Sequence, residues 1–390
     1  MKILFISNIV TGRLGNFSIP SIIAAQKLGY EFHFAANWSK VDKSIIQEEE
    51  KKYGIKIHHI DFERSPFDKK NYRAYKQLRE LMNKYRFDAI HCNTPIGSIL
   101  GRLCAKQSGI SKVIYTAHGF HFYKGAPKIN NIIYKNVEKY LAKLTDCIIT
   151  ITKEDYNSAL EFKKINKKLD VYYIPGVGVN IDEIIKTLVD REAVRKELGI
   201  PNDSILIISA GELNKNKNQK IIIDAISKIE DNENIHYIVC GQGHLEEVLK
   251  KMVIEKQLSR NIHFLGYRND IVKLMKASDI FVLPSYREGL SRSIMEAMAS
   301  GMPVIASKIR GNVDLIKDNE GGFLCYCNDT EAFSMAIEKL INKEARRKMG
   351  DFNLEYSQKF DVTNIKKEML SIYSKQMNIK KDRTGVLYDR

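Results

Sequence analysis

Short apolar runs recur along this chain at residues 3–7, 31–35, 55–59, 89–92, 112–116 and 147–150, separated by stretches whose apolar positions follow helical spacing. Runs of this length, rich in Ile, Val and Phe, read as strands. Their alternation with helices predicts a mostly parallel sheet covered by helices on both faces. A second series occupies 205–210, 235–240, 262–265, 280–283, 304–306 and 322–324, so the expected class is α/β with two Rossmann-like domains. Between the series, Ile174-Pro175-Gly176-Val177-Gly178-Val179-Asn180 carries Gly and Pro without a helical period and marks a hinge. The domains drawn from this pattern are 1–175 and 176–360. Ile365, Met369, Leu370 and Tyr373 then place a helix within 361–378, and the polar stretch 379–390 reads as a loose tail. In open sheets of this kind ligands bind outside the carboxyl ends of the strands, so the loops after the strands hold the candidates.

Composition narrows the class without choosing a function. Over 390 residues, 44% hydrophobic and 28% charged positions describe an ordinary globular chain. The six Cys form no CxxC pair, and Cys92, Cys147 and Cys240 sit in strand-like runs, which implies reduced core thiols, a cytoplasmic setting and no zinc site. No apolar run approaches the length of a membrane span, and the opening one is too short for a signal sequence. A net charge of +15 calls for an acidic neighbour: nucleic acid, anionic lipid or a phosphate-bearing substrate. Residues 69–86 concentrate seven basic side chains against the single acid Glu80, interleaved with Tyr72, Tyr75, Leu78, Met82 and Tyr85 at helical spacing. Such a helix either lies on anionic lipid at the inner membrane face or packs its apolar stripe on its own sheet.

The most pointed chemistry lies near residue 280. A run ending Val282-Leu283-Pro284 leads to Glu288-Gly289-Leu290-Ser291, then to a helical pattern containing Glu296, then to a second apolar run from Val304. If the helix begins near Ser291, Glu288 stays on the loop and Glu296 lies one to two turns inside. The free N–H groups at Leu290, Ser291 and Arg292 would then face the ligand between two acids, a slot that suits a diphosphate. After the first strand of the second series, Gly211 is followed by Lys217 close to the next helix, a plausible phosphate cradle with Lys as a point charge.

These residues resemble the nucleotide-sugar site of retaining glycosyltransferases of family 4, which have the two-domain GT-B fold, and the resemblance runs from Met1 to about residue 375. It implies a central cleft between two domains, a C-terminal helix crossing back onto the first, and no cofactor or metal beyond the nucleotide-sugar donor. Glu288 would hold the donor sugar's hydroxyls and Glu296 the ribose hydroxyls. Lys217 matches a diphosphate-binding Lys, with Gly289, Leu290 and Ser291 beside it. The similar enzymes carry an Arg directly after the equivalent of Gly211, and here Glu212 stands in that place. Glu212 is expected to turn away, with Lys215 or Arg292 supplying the second charge. Tyr267 and Arg268 would flank the base.

In the first domain, Gly12 and Gly15 follow strand one, where glycine permits close approach of a donor. His118 closes a later strand, and the resemblance puts a His there near the donor sugar. Arg13, Asn93 and His121 are the acceptor candidates on neighbouring loops. The stretch from His91 to Lys124 resembles enzymes of capsular and exopolysaccharide synthesis, whose acceptors are often saccharides on polyprenyl diphosphate. Two other readings stay open: a nucleotide-sugar epimerase of the same fold, and a nucleic-acid binder resting on charge only. The Glu288, Glu296 and Lys217 arrangement favours the transferase, with no nucleic acid as partner.

Overall fold

The computed structural model describes residues 1–66 and 68–377, together with a short antiparallel pair formed by Lys380–Lys381 and Leu387–Tyr388. The rest of the tail expected over 379–390 lies outside the described residues. The chain divides into two compact units, one formed by Met1–Val177 with the segment from Val362 onward, the other by Gly178–Asp361.

The first unit holds seven parallel strands: β1 Lys2–Ile9, β2 Glu31–Asn37, β3 Lys56–His59, β4 Ala89–Cys92, β5 Lys112–Ala117, β6 Cys147–Thr150 and β7 Asp170–Tyr173, in the order β3-β2-β1-β4-β5-β6-β7. The edge strand β7 is absent from the apolar runs of the sequence. It opens on an exposed Asp170 and is only half-buried, so it lacks the continuous apolar signal of a strand covered on both faces. In β1 that signal is clear: Ile3 and Phe5 enter one core with Ile22, Ala25, Ile365, Met369 and Tyr373, while Leu4 and Ile6 enter the opposite core with Ala74, Leu78, Met82 and Cys104.

The helix Val362–Gln376 belongs to the first unit and buries Ile365, Met369, Ile372 and Tyr373 there. Polar contacts help to fix it. The Tyr373 hydroxyl lies 2.7 Å from His91 Nδ1, and Gln376 Nε2 donates to Asp170 Oδ2 at 2.6 Å. His91, fully buried, uses its other nitrogen with Thr116 Oγ1 at 2.7 Å.

The basic helix read at 69–86 spans Lys70–Tyr85, and its apolar stripe faces inward: Ala74, Leu78 and Met82 are buried, with Tyr75 and Tyr85 packed against the same core. Its basic face is partly neutralised, since Arg73 pairs with Asp61 at 3.0 Å and Lys70 with Glu63 at 3.1 Å. Of the two readings of this helix, packing on its own sheet describes the apolar side.

The second unit holds β8 Ile205–Ala210, β9 Ile235–Cys240, β10 Ile262–Gly266, β11 Ile280–Leu283, β12 Val304–Ser307 and β13 Gly322–Cys325, in the order β10-β9-β8-β11-β12-β13. Every neighbouring pair is parallel. In both sheets the order reverses beside the first strand, between β1 and β4 and between β8 and β11. At such a switch point the helices on either side leave for opposite faces, and the loops at the carboxyl ends part to form a crevice. All six cysteines are free, and five are buried. Burial pushes the Cys92, Cys104, Cys240 and Cys325 thiols up to about 12, so they serve as small apolar side chains.

Candidate functional site

At the switch point of the second sheet, the loop after β8 carries Gly211 and Lys217, and the loop after β11 carries Glu288. The structure brings them together: Lys217 Nζ lies 2.7 Å from Glu288 Oε1, both side chains largely covered at 22% and 14% exposure. Lys217 also lies over Gly211, where an added Cβ would stand 3.2 Å from Lys217 Cε. The two loops are stitched by their backbones and by two asparagines. Tyr286 N–H donates to Asn216 O at 2.8 Å, and Asn216 Nδ2 donates to Arg287 O at 2.9 Å. Asn218, in the left-handed region at φ 54°, donates to Pro284 O at 3.2 Å and Cys327 O at 3.0 Å. Asn tolerates that conformation better than most side chains, so the Asn-rich loop around Lys217 is a brace and not a solvated turn.

Two glycines missed as site residues press on this pair of loops. Gly241 has φ 144°, and a Cβ there would fall 1.9 Å from Gly211 O; Gly311 has φ 85°, and a Cβ would fall 1.5 Å from Gly289 O. Only glycine permits such approach. Gly241-Gln242-Gly243 therefore forms a turn after β9 that clamps the loop carrying Gly211.

The helix after Glu288 runs Arg292–Ala299, and Ser291 caps it by accepting the Ile294 N–H on Oγ at 3.4 Å. Its buried face of Ile294, Met295, Ala297, Met298 and Ala299 fixes the helix on the sheet, so its N-terminal end sits beside Gly289 and Leu290. Glu296, on the second turn, pairs with Arg292 at 2.8 Å. Burial raises the Glu296 carboxyl pKa against the opposing pull of Arg292. The two acids thus have separate partners. Arg292 is held by Glu296, Lys215 is exposed, and the Glu212 side chain is exposed. At the end of β10, Tyr267 is 77% exposed, while Arg268 is gripped by Asp270 through two hydrogen bonds of 2.8 and 2.7 Å. Gly241 N–H donates to Gly266 O at 2.7 Å, which ties this strand end to the β9 loop.

In the first unit the structure joins Asn93, after β4, to His118, after β5, through a 2.8 Å contact between His118 Nε2 and Asn93 Oδ1. An amide oxygen only accepts, which assigns the ring proton to Nε2 and leaves Nδ1 a lone pair. That Nδ1 is buried without a hydrogen-bond partner among the described residues. Burial lowers the His118 pKa to about 4, so at neutral pH the ring is an uncharged acceptor. Phe17 stands edge-on to it at 4.8 Å. Gly12 and Gly15 have open space beside them, with nothing within 4 Å of an added Cβ. Between them, Arg13 is engaged by Glu48 at 2.5 Å and Glu49 at 3.1 Å. At the switch point, Asn8 Oδ1 accepts from Thr94 Oγ1 at 2.8 Å and Gly97 N–H at 2.6 Å, a positioning role that nothing in the sequence pattern signals. His121 stands apart from His118 and Asn93 in its surroundings. It borders a cavity of about 390 Å³ lined by Asn8, Arg64, Ile96, Tyr115, Tyr134 and Glu138, among others.

Residues 190–354 match the family model described as glycosyl transferases group 1, and residues 2–152 match that described as glycosyl transferase 4-like. The Bacillus subtilis protein EpsD, which carries a glycosyltransferase name, is 35% identical over 383 residues, covering 97% of each chain. An Escherichia coli UDP-Gal:alpha-D-GlcNAc-diphosphoundecaprenol alpha-1,3-galactosyltransferase is 31% identical over 298 residues, 73% of this chain and 76% of that one. Among solved structures, Anabaena HepE in complex with UDP superposes with a TM-score of 0.77 at 21% identity, covering 96% of this chain and all of that one. The Thermosynechococcus elongatus sucrose-phosphate synthase gives 0.79 at 19% identity, covering 96% and 98%. The two parallel sheets of this chain are thus the GT-B fold.

Proposed function

Because this chain belongs to the group 1 glycosyltransferases, we propose that it transfers a sugar, with retention and without a metal, from a UDP-sugar to a saccharide acceptor of surface polysaccharide synthesis. The observation that carries this reading is the Lys217–Glu288 pair at the switch point of the second sheet, set beside a capped helix N-terminus. As the bond from the anomeric carbon to the diphosphate breaks, its electron pair goes to the departing phosphate oxygen. Lys217 and the N–H groups at Leu290 and Ser291 meet that charge in a preorganised site. Glu288, oriented by Lys217, takes the donor sugar's hydroxyls, and Glu296 takes the ribose hydroxyls. In the first unit His118, uncharged and oriented by Asn93, offers its Nδ1 lone pair to a sugar hydroxyl.

A UDP-bound structural neighbour supports the choice of base, and a relative named for a diphosphoundecaprenol-linked acceptor supports a polyprenyl-diphosphate saccharide as acceptor. A panel of nucleotide sugars tested by thermal shift should single out one UDP-sugar, since ligand at a hundred times Kd stabilises the native state by about 2.7 kcal/mol. Transfer from that donor should survive excess chelator. Activity lost in chelator and restored by magnesium or manganese would refute the metal-free reading. Conversion of the donor to an epimer, without transfer, would point to an epimerase instead.

A further inference from the structure

The helix Lys128–Ala142 in the first unit is built inside out. Of its residues only Leu141 and Ala142 are buried. Ile129, Ile132, Ile133, Val137 and Tyr140 are exposed at 69%, 63%, 53%, 37% and 55%. Their spacing of three and four puts them along one stripe, and that stripe points away from the core. A soluble helix turns such a stripe inward, as Lys70–Tyr85 does in the same unit.

Polar contacts hold the inner side. Arg102, fully buried, makes a forked pair with Glu138 at 2.9 and 3.2 Å, and Lys135 pairs with Glu161 at 2.8 Å. Asn131 accepts from Tyr123 N–H at 3.0 Å and so ties the first turns to the preceding loop. The helix is therefore fixed in place with its apolar side outward. A shallow groove of about 370 Å³, lined by Ile99, Leu103, Val137 and Tyr140, continues the apolar surface.

We propose that this stripe seats the protein on an anionic lipid bilayer, the helix lying in the interface. Charge selects that occupant. Lys124, Lys128, Lys139 and Lys143 accompany the helix, Lys135 being held by Glu161, and its one acid, Glu138, is committed to Arg102. A second copy docked about a twofold axis would bring two such basic sets together, whereas anionic headgroups meet them with opposite charge. Among the described residues no helix is long and apolar enough to cross a membrane, so this helix lies on the surface. The same helix lends Tyr134, Val137 and Glu138 to the cavity beside His121. A lipid-borne acceptor would thereby arrive next to that cavity. That last step rests on the proposed acceptor, while the docking surface stands on the helix alone.

Cosedimentation of the full chain with phosphatidylglycerol/phosphatidylcholine vesicles and with pure phosphatidylcholine vesicles tests it. Binding should favour the anionic vesicles at least roughly tenfold and weaken as salt shortens the screening length. The I129S/I132S/I133S variant should lose partitioning by roughly a hundredfold, because three apolar side chains no longer enter the interface. Its thermal midpoint should stay at the wild-type value, since these positions are exposed. The I132S single variant and the K128Q/K139Q variant should give partial losses, which keeps the test decisive if the triple variant folds poorly. Charge reversal at Arg73, Lys76 and Arg79 should leave binding intact. Wild-type partitioning of the triple variant would overturn the proposal. So would a lipid-free dimer in sedimentation velocity that the triple substitution dissolves, because the stripe would then serve a second copy.

Discussion

Lys217 Nζ stands 2.7 Å from Glu288 Oε1, although 71 positions separate the two residues along the chain. The contact exists because β8 and β11 are neighbours where the order of the second sheet reverses. Each residue leaves its strand on a loop braced by the asparagines at 216 and 218. On the proposed function, an ammonium held by a carboxylate is already oriented before a diphosphate arrives, and little reorganisation remains for the bond-breaking step.

Removing that ammonium should cost turnover more than donor affinity. Lys217→Met is expected to lower kcat by roughly a hundred- to a thousandfold, the range for one oxyanion-stabilising donor. Glu288→Gln should also lower kcat, and the double variant should be little worse than the poorer single, since residues acting as a unit are not additive. Steady-state kinetics of the four proteins decide this. Additive losses would show that the two side chains act independently.

Glu296 should behave differently, because it is paired with Arg292 and not with Lys217. Glu296→Gln is expected to weaken UDP binding by roughly ten- to a hundredfold through the loss of charge-assisted hydrogen bonds, with saturated turnover little changed. Isothermal titration against kcat separates the two effects. Wild-type UDP affinity in this variant would remove Glu296 from the nucleotide site.

The first unit should lose stability in mild acid through His91. Burial lowers its pKa from the ordinary 6.5 to about 3, so below pH 6.5 the unfolded chain takes a proton that the folded chain refuses. Its contribution is complete above pH 6.5 and is lost towards pH 3, at about 1.4 kcal/mol per pH unit. Thermal unfolding of His91→Asn should accordingly depend less on pH between 6.5 and 4 than the wild type does. Tyr373→Phe, which removes the hydroxyl hydrogen-bonded to Nδ1, should cost about 1–3 kcal/mol and speed hydrogen exchange in the helix Val362–Gln376. An unaltered pH profile in His91→Asn would disprove this account.

Much of the architecture was legible in the chain, because parallel strands buried on both faces leave continuous apolar runs. Among the described parallel strands only β7, half-buried at an edge and opening on Asp170, escaped that signal. Glu288, a helix start near Ser291 and Glu296 were legible for a similar reason: turn residues and helical period are local, and they locate a loop acid and a helix acid without tertiary information. Lys217 could be named from its loop, but its partner could not, since the pairing depends on which strand lies beside which.

The same division separates His118 from its environment and one amphipathic helix from another. The sequence places His118 at a strand end; only the fold supplies Asn93, the buried Nδ1 and a neutral ring. Residues 69–86 and the helix Lys128–Ala142 both combine an apolar stripe with lysines. Periodicity establishes that a helix has an apolar side and says nothing of what covers it. Packing decided that Leu78 and Met82 enter the core, while the Arg102–Glu138 pair turned the other helix over and left Ile129, Ile132 and Ile133 facing outward.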